Sequence, residues 1–464
     1  MSDRSREALD GLATDRSPTR RACLGALALP LLAGCFGDAD DDTAAGEPDD
    51  DPADEESAVD EAPANDTDDE SDPDDVVHQP ADDPDPPREL SPDGHDPWPM
   101  VGFSSHSDGF NPGATLPRGD EIDEYYRASY GGIYFPMPPA IGGDQIISIG
   151  DDHMYAFSLA DGEQRWDVDL GYDAASRGPA VDGDHVYISS NRTSADILQA
   201  YDVETGSLAW EAAVESPLSS PKLIDELVYV TGRGDDGVTV SAFDRTDGDE
   251  RWRHVDEEGV FRQVGRSFAS GAAGETIYSG LNGMQSIIAI DVADGAERWR
   301  YPIDTRLFSS TTIHDGEVYA VDHDNRFHAV DADSGEELWT VAIGEEYRSI
   351  RPPPAAKGDT IVVASADGVW GIDWVDQAVR WFTDTRHSND TPIAIVEDVA
   401  IVGGLDVDVL SLEDGEHEWR FNVPSHQSLF SGVAVGNEVV FTNSCIKEDA
   451  QSLYDHYLHA LGGF

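Results

Sequence analysis

Lysine is almost missing from this chain: Lys222, Lys357 and Lys447 are the only three in 464 residues, and all basic residues number 29 against 94 Asp plus Glu. That shortage excludes nucleic acid as a partner, because duplex binding rests on Lys and Arg neutralising phosphates and no basic stripe is present. Cysteine is equally scarce. Cys23 and Cys35 lie near the N-terminus and Cys445 stands alone in the remainder, so no disulfide framework can form within the folded chain. The apolar run Ala22–Ala33 is too short to span a bilayer and contains Pro30. Motifs that carry chemistry are missing as well: there is no CxxCH haem site, no HExxH zinc pair and no GxSxG nucleophile turn.

The charge that is present is acidic throughout. Residues 38–93 hold 25 acids and one Arg, and residues 94–464 still hold 65 acids against 23 bases. Such a surface suits concentrated salt, where a Debye length of about 3 Å at 1 M screens carboxylates from one another. The balance is a halophile's, and with the export signal described next it points to a haloarchaeal cell.

Arg20 and Arg21 precede the apolar run, and Thr19–Leu24 (TRRACL) resembles a twin-arginine export signal, with Cys23 where a bulky apolar residue is usual. The run closes on Leu32-Ala33-Gly34-Cys35, which resembles a lipobox, whose cysteine thiol receives lipid. The alternative is an ordinary Cys35 in a signal peptide cut elsewhere. Residues 1–35 are thus expected to be a lipoprotein signal with Cys35 as the attachment point. Residues 36–93 are Asp, Glu, Pro and Ala with almost no aromatics, so they bury too little apolar surface to offset ordering entropy. They are expected to form an extended, disordered stalk.

The remainder repeats. Tryptophans stand at Trp166, Trp210, Trp252, Trp299, Trp339, Trp381 and Trp419, on average about 42 residues apart. Gly162, Gly206, Gly248, Gly295, Gly335 and Gly415 lie four residues before them, with Gln377 as the one departure. Asp202, Asp244, Asp291, Asp331 and Asp373 lie eight before, and Ala156, Ala200, Ala242, Ala289 and Ala329 ten before. Segments such as AYDVETGSLAW and AIDVADGAERW therefore read as a strand, a Gly turn and a second strand ending in Trp. Two more short strands precede each hairpin, as in GPAVDGDHVYISS. Four short strands per unit, with no 3.6-residue apolar period, describe a propeller blade and not a helical solenoid.

This pattern resembles the tryptophan-docking repeat of the pyrroloquinoline-quinone (PQQ)-like β-propeller family, over roughly Trp98 to Phe464, within a repeat domain expected at 94–464. The resemblance implies that each tryptophan packs against the neighbouring blade. The last unit stops at Phe464 one strand short, while Tyr126 precedes Pro139 by the same 13 residues that separate Trp166 from Pro179. The expected fold is therefore all-β, an eight-bladed propeller of four-stranded antiparallel blades whose last blade is completed by the N-terminal strand. Seven blades would result if residues 94–135 only decorated the surface.

Quinoprotein dehydrogenases of this family hold PQQ and Ca²⁺ in the axial channel, many of them under a disulfide of adjacent cysteines. With Cys445 alone in the propeller that disulfide is chemically excluded, although some quinoproteins manage without one. The recurring aspartates are expected to cap turns. Asp322-His323-Asp324-Asn325 and Asp235-Asp236 offer oxygens to a cation but lack an EF-hand pattern. No catalytic residue, metal ligand or cofactor is assigned. The expected function is a non-catalytic cell-surface lipoprotein, similar in fold to the lipoprotein propeller of bacterial outer-membrane assembly. It would bind envelope or exported proteins through a propeller face and sit at the extracellular face of the cytoplasmic membrane. The alternatives are a membrane-anchored PQQ- and Ca²⁺-dependent alcohol or sugar dehydrogenase, and a sensor or carbohydrate-binding module.

Overall fold

Alternating apolar residues, broken by Gly turns, lay down four antiparallel strands in each repeat. In the third repeat these are Lys222–Ile224, Leu227–Arg233, Val238–Asp244 and Glu250–Asp256. The middle strands are covered on both faces by neighbouring blades, so Gln145–Ile149 and Val238–Asp244 are buried at every position. Outermost strands such as Glu337–Ala342 show buried and exposed positions together. The computed structural model describes residues 77–78 and 98–463, except 118–121, 132–136, 151, 172–177, 192–195, 258–270, 281–283, 345–351, 366–367, 386–390, 423–426, 437 and 448–454. Arg20, Arg21, Cys35 and nearly all of the acidic stretch thus lie outside the described residues.

There are eight sheets, and they close into a ring. In blade order their innermost strands are Ala140–Gly142, Ala180–Val181, Lys222–Ile224, Gly271–Ala273, Thr312–His314, Ala355–Lys357, Ala394–Val396 and Gln427–Gly436. The innermost strand of blade 1 lies against that of blade 2 on one side and that of blade 8 on the other. Blade 8 is assembled from both ends of the propeller. Ile122–Tyr130 forms its outermost strand, antiparallel to Asp455–Gly463, with Tyr126 opposite Ala460. Eight blades, not seven, follow from that pairing. It also covers the edge that the last strand would otherwise expose.

Among the described residues one strand falls within the stretch 36–93. Val77–His78 lies parallel to the outermost strand of blade 7, with Val77 opposite Arg420 and His78 opposite Phe421, and makes that blade five-stranded.

Candidate functional site at the axial mouth

Each repeat tryptophan stands on the outermost strand of its blade. Five donate their indole N–H to a carbonyl in the next blade: Trp166 to Val203 (3.0 Å), Trp210 to Arg245 (2.9 Å), Trp252 to Val292 (2.6 Å), Trp299 to Ala332 (2.9 Å) and Trp381 to Leu412 (2.9 Å). The ring lies over the glycine of the neighbouring hairpin. At Gly206 the backbone is left-handed (φ 69°), and a Cβ would stand 2.9 Å from the Trp166 ring, so both conformation and space require glycine there. The departure, Gln377, takes the left-handed conformation (φ 52°) at a cost of about 1 kcal/mol. Trp339 stacks on Phe327 of its own blade at 5.3 Å. Trp419 packs into the cluster that includes Phe421, Phe430 and Phe441. In blade 8 the place is taken by Tyr126, whose ring covers Gly162 and whose hydroxyl donates to Leu159 O at 3.0 Å.

The recurring aspartates are turn residues. Asp202, Asp244, Asp291, Asp331 and Asp373 accept backbone N–H bonds of 2.7–2.8 Å from Thr205, Thr246, Ala293, Ser334 and Asp376. Local donors hold all five carboxyls below the ordinary range: Thr205 for Asp202, Thr246 for Asp244, Arg298 for Asp291, Ser334 for Asp331 and the Asp376 amide for Asp373. Asp322 and His323 are likewise structural. Asp322 pairs with His328 Nε2 at 2.9 Å, and His323 stacks on Phe308 at 3.5 Å, where burial pushes its imidazole down to about 4.

The residues before the first blade, which carry no period, form the least expected feature. From Trp98 to Thr115 they run once around the ring and bond to each blade in turn. Trp98 exchanges backbone bonds with Ile141 in blade 1, and Pro99 O accepts from Val181 N in blade 2 at 2.6 Å. Ser105 O accepts from Ala272 N in blade 4, His106 O from Ile313 N in blade 5, and Asp108 O from Ala356 N in blade 6. Gly109 O and Asn111 N bond to Ile395 in blade 7, and Thr115 O accepts from Glu438 N in blade 8. On blades 1, 2, 4, 5, 6 and 7 the contact is the second residue of the innermost strand, so the segment forms a collar at the mouth where the first and second strands turn.

Blade 3 departs from this rule and uses a side chain. Lys222 is 1 % exposed, and its Nζ donates to Val101 O and Ser104 O, both at 2.6 Å. Burial pushes its amine down to about 7, partly opposed by the charge of Asp108. An unprotonated amine still has two hydrogens, one for each collar carbonyl, so both bonds survive loss of the charge. Asp108 accepts from Ser104 Oγ at 3.1 Å, and burial raises its carboxyl above the usual range. A cavity of about 420 Å³ opens beside the collar, lined by His106, Asp108, Tyr278, His314, Asp315 and Asp333 among others.

A planar, polyanionic quinone on the axis would need free cations and an open stack. At this mouth the cation Lys222 is committed to collar carbonyls, Thr312 Oγ1 is bonded to Ser107 O and Pro354 O, and the collar backbone takes the space. The residues described here do not fit PQQ. Among the described residues no group of three or more His, Cys, Asp or Glu is placed to hold a metal ion.

One further constellation was not foreseen from sequence. Ser444 Oγ lies 2.6 Å from His459 Nε2, and His459 Nδ1 lies 2.5 Å from Glu124 Oε1. The order hydroxyl, imidazole, carboxylate is that of a nucleophilic relay. Yet Ser444 and His459 are 0 % exposed, so no substrate reaches the hydroxyl. The relay ties the N-terminal strand, through Glu124, to the two C-terminal strands.

A closed ring of eight four-stranded blades, wedged by indole rings on glycine turns and filled at one mouth by its own lead-in, is a PQQ-like repeat β-propeller. Residues 150–381 and 283–444 match the family described as Outer membrane protein assembly factor BamB, and the chain belongs to that family. A relative named Outer membrane protein assembly factor BamB, from Yersinia pestis, is 25 % identical over 338 residues, 67 % of this chain and 82 % of that protein. Among solved structures, BamB from Moraxella catarrhalis superposes with a TM-score of 0.56 at 16 % identity, covering 74 % of this chain and 99 % of that one. The quinohemoprotein alcohol dehydrogenase ADHIIG from Pseudomonas putida HK5 superposes at 0.60 with 14 % identity, covering 80 % of both. Likeness at that identity is a likeness of fold.

Proposed function

We propose that this chain is a non-catalytic scaffold of the cell envelope, exported through Arg20 and Arg21 and anchored by lipid at Cys35. Within the stretch 36–93 the residues before Val77–His78, which lies along blade 7, act as its stalk, and the propeller presents a surface to envelope or exported proteins at the extracellular face of the cytoplasmic membrane. The collar carries this proposal. Where a quinoprotein needs an open axial bay, this ring commits the buried amine of Lys222, the innermost strands of six further blades and the Glu438 amide of blade 8 to holding the segment Trp98–Thr115. Rims and loops are then left as recognition surfaces. Relatives named as outer-membrane assembly factors support a scaffolding role. In a haloarchaeal cell, which has no outer membrane, the partner would differ from theirs.

The test has two readouts. Cys35→Ser is expected to abolish lipid labelling and move the protein from the membrane to the soluble fraction. The full-length protein in molar salt with PQQ and Ca²⁺ is expected to keep its Tm and show no dye-linked alcohol oxidation. A ligand bound to the folded state adds about 2.7 kcal/mol of stability at a hundredfold excess over Kd and so raises Tm. A raised Tm with quinone absorbance and alcohol oxidation would overturn the scaffold. Retention of Cys35→Ser in the membrane would overturn the anchor.

A further inference from the structure

The outermost strands form the rim of the ring, and seven of the eight carry carboxylates. These include Asp167 in Gln164–Asp169, Glu211 in Leu208–Ala213, Glu250 in Glu250–Asp256 and Glu297 in Glu297–Pro302. Glu337 in Glu337–Ala342, Glu418 in His417–Phe421 and Asp123 in Ile122–Tyr130 complete the set. Blade 6 is the exception. Its outermost strand, Ala378–Thr383 (AVRWFT), has no acid, in a chain of net charge −65. Its one charge, Arg380, is turned onto its own blade, with Nε bonded to Asp373 Oδ2 at 3.1 Å and a terminal nitrogen to Thr360 at 3.0 Å.

Apart from Arg380, what the strand exposes is apolar. Phe382 is 48 % and Val379 38 % exposed, and Val375, in the turn before it, is 69 % exposed. Charged side chains on an edge strand normally keep another chain from pairing with it; here that guard is missing. Among the described residues no strand lies outside Ala378–Thr383, so one row of its backbone N–H and C=O groups faces away from the sheet. The neighbouring blade shows what such an edge takes. Val77–His78 is laid along the outermost strand of blade 7 as a fifth strand. Exposed carboxylates at Asp376 and Asp384 flank the apolar strand and favour a basic occupant.

We propose that the outer edge of blade 6 is a strand-addition site for an extended segment of another polypeptide, alternating apolar with basic or uncharged residues. Main-chain hydrogen bonds would supply affinity, and Val379 and Phe382 would select apolar side chains on one face of the added strand. The inference deepens the scaffold proposal by naming where a partner docks, and rests on it only for the presence of such partners in the envelope.

The experiment uses the full-length protein in molar salt and a fluorescent peptide of alternating Val and Lys. Saturable binding is expected, with amide hydrogen exchange slowed at least tenfold within Ala378–Thr383. Val379→Glu with Phe382→Glu is expected to weaken binding at least tenfold, and Val379→Glu alone, which leaves the Phe382 ring on Trp370 at 4.7 Å, is expected to weaken it with Tm unchanged. Leu208→Glu, an exposed apolar residue on the rim of blade 2, is expected to leave binding unchanged, as is free peptide competition by an acidic analogue. Protection at another rim, or binding indifferent to the double substitution, overturns this site while leaving the scaffold standing. Absence of binding overturns the inference, with membrane retention of the wild type still testing the anchor separately. Self-association through the same edge, abolished by Phe382→Glu, would make a second copy the occupant and overturn the choice made here.

Discussion

Tyr126→Ala is expected to lower the free energy of unfolding by about 3–5 kcal/mol, the range for deleting a buried aromatic side chain, as read by denaturant unfolding in molar salt. Tyr126 is 2 % exposed, its ring covers Gly162, and its hydroxyl is bonded to Leu159 O at 3.0 Å. Those contacts join blade 8 to blade 1, so the cavity opens where the ring closes. Burial pushes the phenol well above the usual tyrosine range, so the hydroxyl remains a donor at any working pH. Tyr126→Phe removes only the hydroxyl, which donates to Leu159 O and more weakly to Ser158 O at 3.4 Å, and should cost about 1 kcal/mol. Tyr126→Trp restores the residue found at the sister positions and is expected to be the mildest of the three. A loss below about 1 kcal/mol for Tyr126→Ala would mean that blade 8 contributes little to the ring.

Lys222→Met should be nearly as damaging, and its cost should depend on pH in a particular direction. The substitution leaves Val101 O and Ser104 O buried without their donor, at about 1–3 kcal/mol for each unsatisfied group. In the folded protein the amine is pushed down to about 7 by burial, whereas an unfolded lysine titrates near about 10.4. Between those values the unfolded chain binds a proton that the folded chain does not, so stability rises with pH. Below the folded value both states are protonated and the dependence on pH vanishes. The stability difference between wild type and Lys222→Met is therefore expected to widen by about 1.4 kcal/mol per pH unit from pH 7 towards pH 10. Paired denaturant titrations across that window measure it. A difference that is flat, or that narrows as pH rises, would contradict a desolvated amine beneath the collar.

The two residues also mark what could and could not be read beforehand. The ring was legible because its wedge is local: glycine, tryptophan and aspartate stand within ten residues of one another, and the motif recurs often enough to separate it from chance. Tyr126 could be matched to Trp166 because both keep the same distance to a proline that opens the next innermost strand. Lys222 carried a signal of the same kind that went unused. Pro139-Ala140, Pro179-Ala180, Pro221-Lys222 and Pro354-Ala355 are equivalent dipeptides, so a lysine where its sisters are alanine marks a charge in a tight, buried place. The collar was not legible as a collar, because it is held almost wholly by backbone groups and backbone bonds leave no mark on side-chain identity. Ser444, His459 and Glu124 were invisible for another reason. Glu124 and His459 are 335 positions apart in sequence and meet only because the ring closes. The acid-free rim of blade 6 was written openly in AVRWFT, but its meaning depended on knowing that this strand is outermost.

Closure of the ring by its own first strand underlies all of this, and joining the two ends tests it most directly. Ser129 and Tyr457 face each other across the ladder between Ile122–Tyr130 and Asp455–Gly463. Such partners have Cα atoms about 4.5–5.5 Å apart, inside the roughly 4.4–6.8 Å that a disulfide spans. With Cys23, Cys35 and Cys445 replaced, the Ser129→Cys, Tyr457→Cys protein is expected to form an intramolecular disulfide on mild oxidation of the folded state, seen as a single cross-linked peptide in mass spectrometry. Free thiols under those conditions, or disulfides only between molecules, would show that the first strand does not complete the last blade.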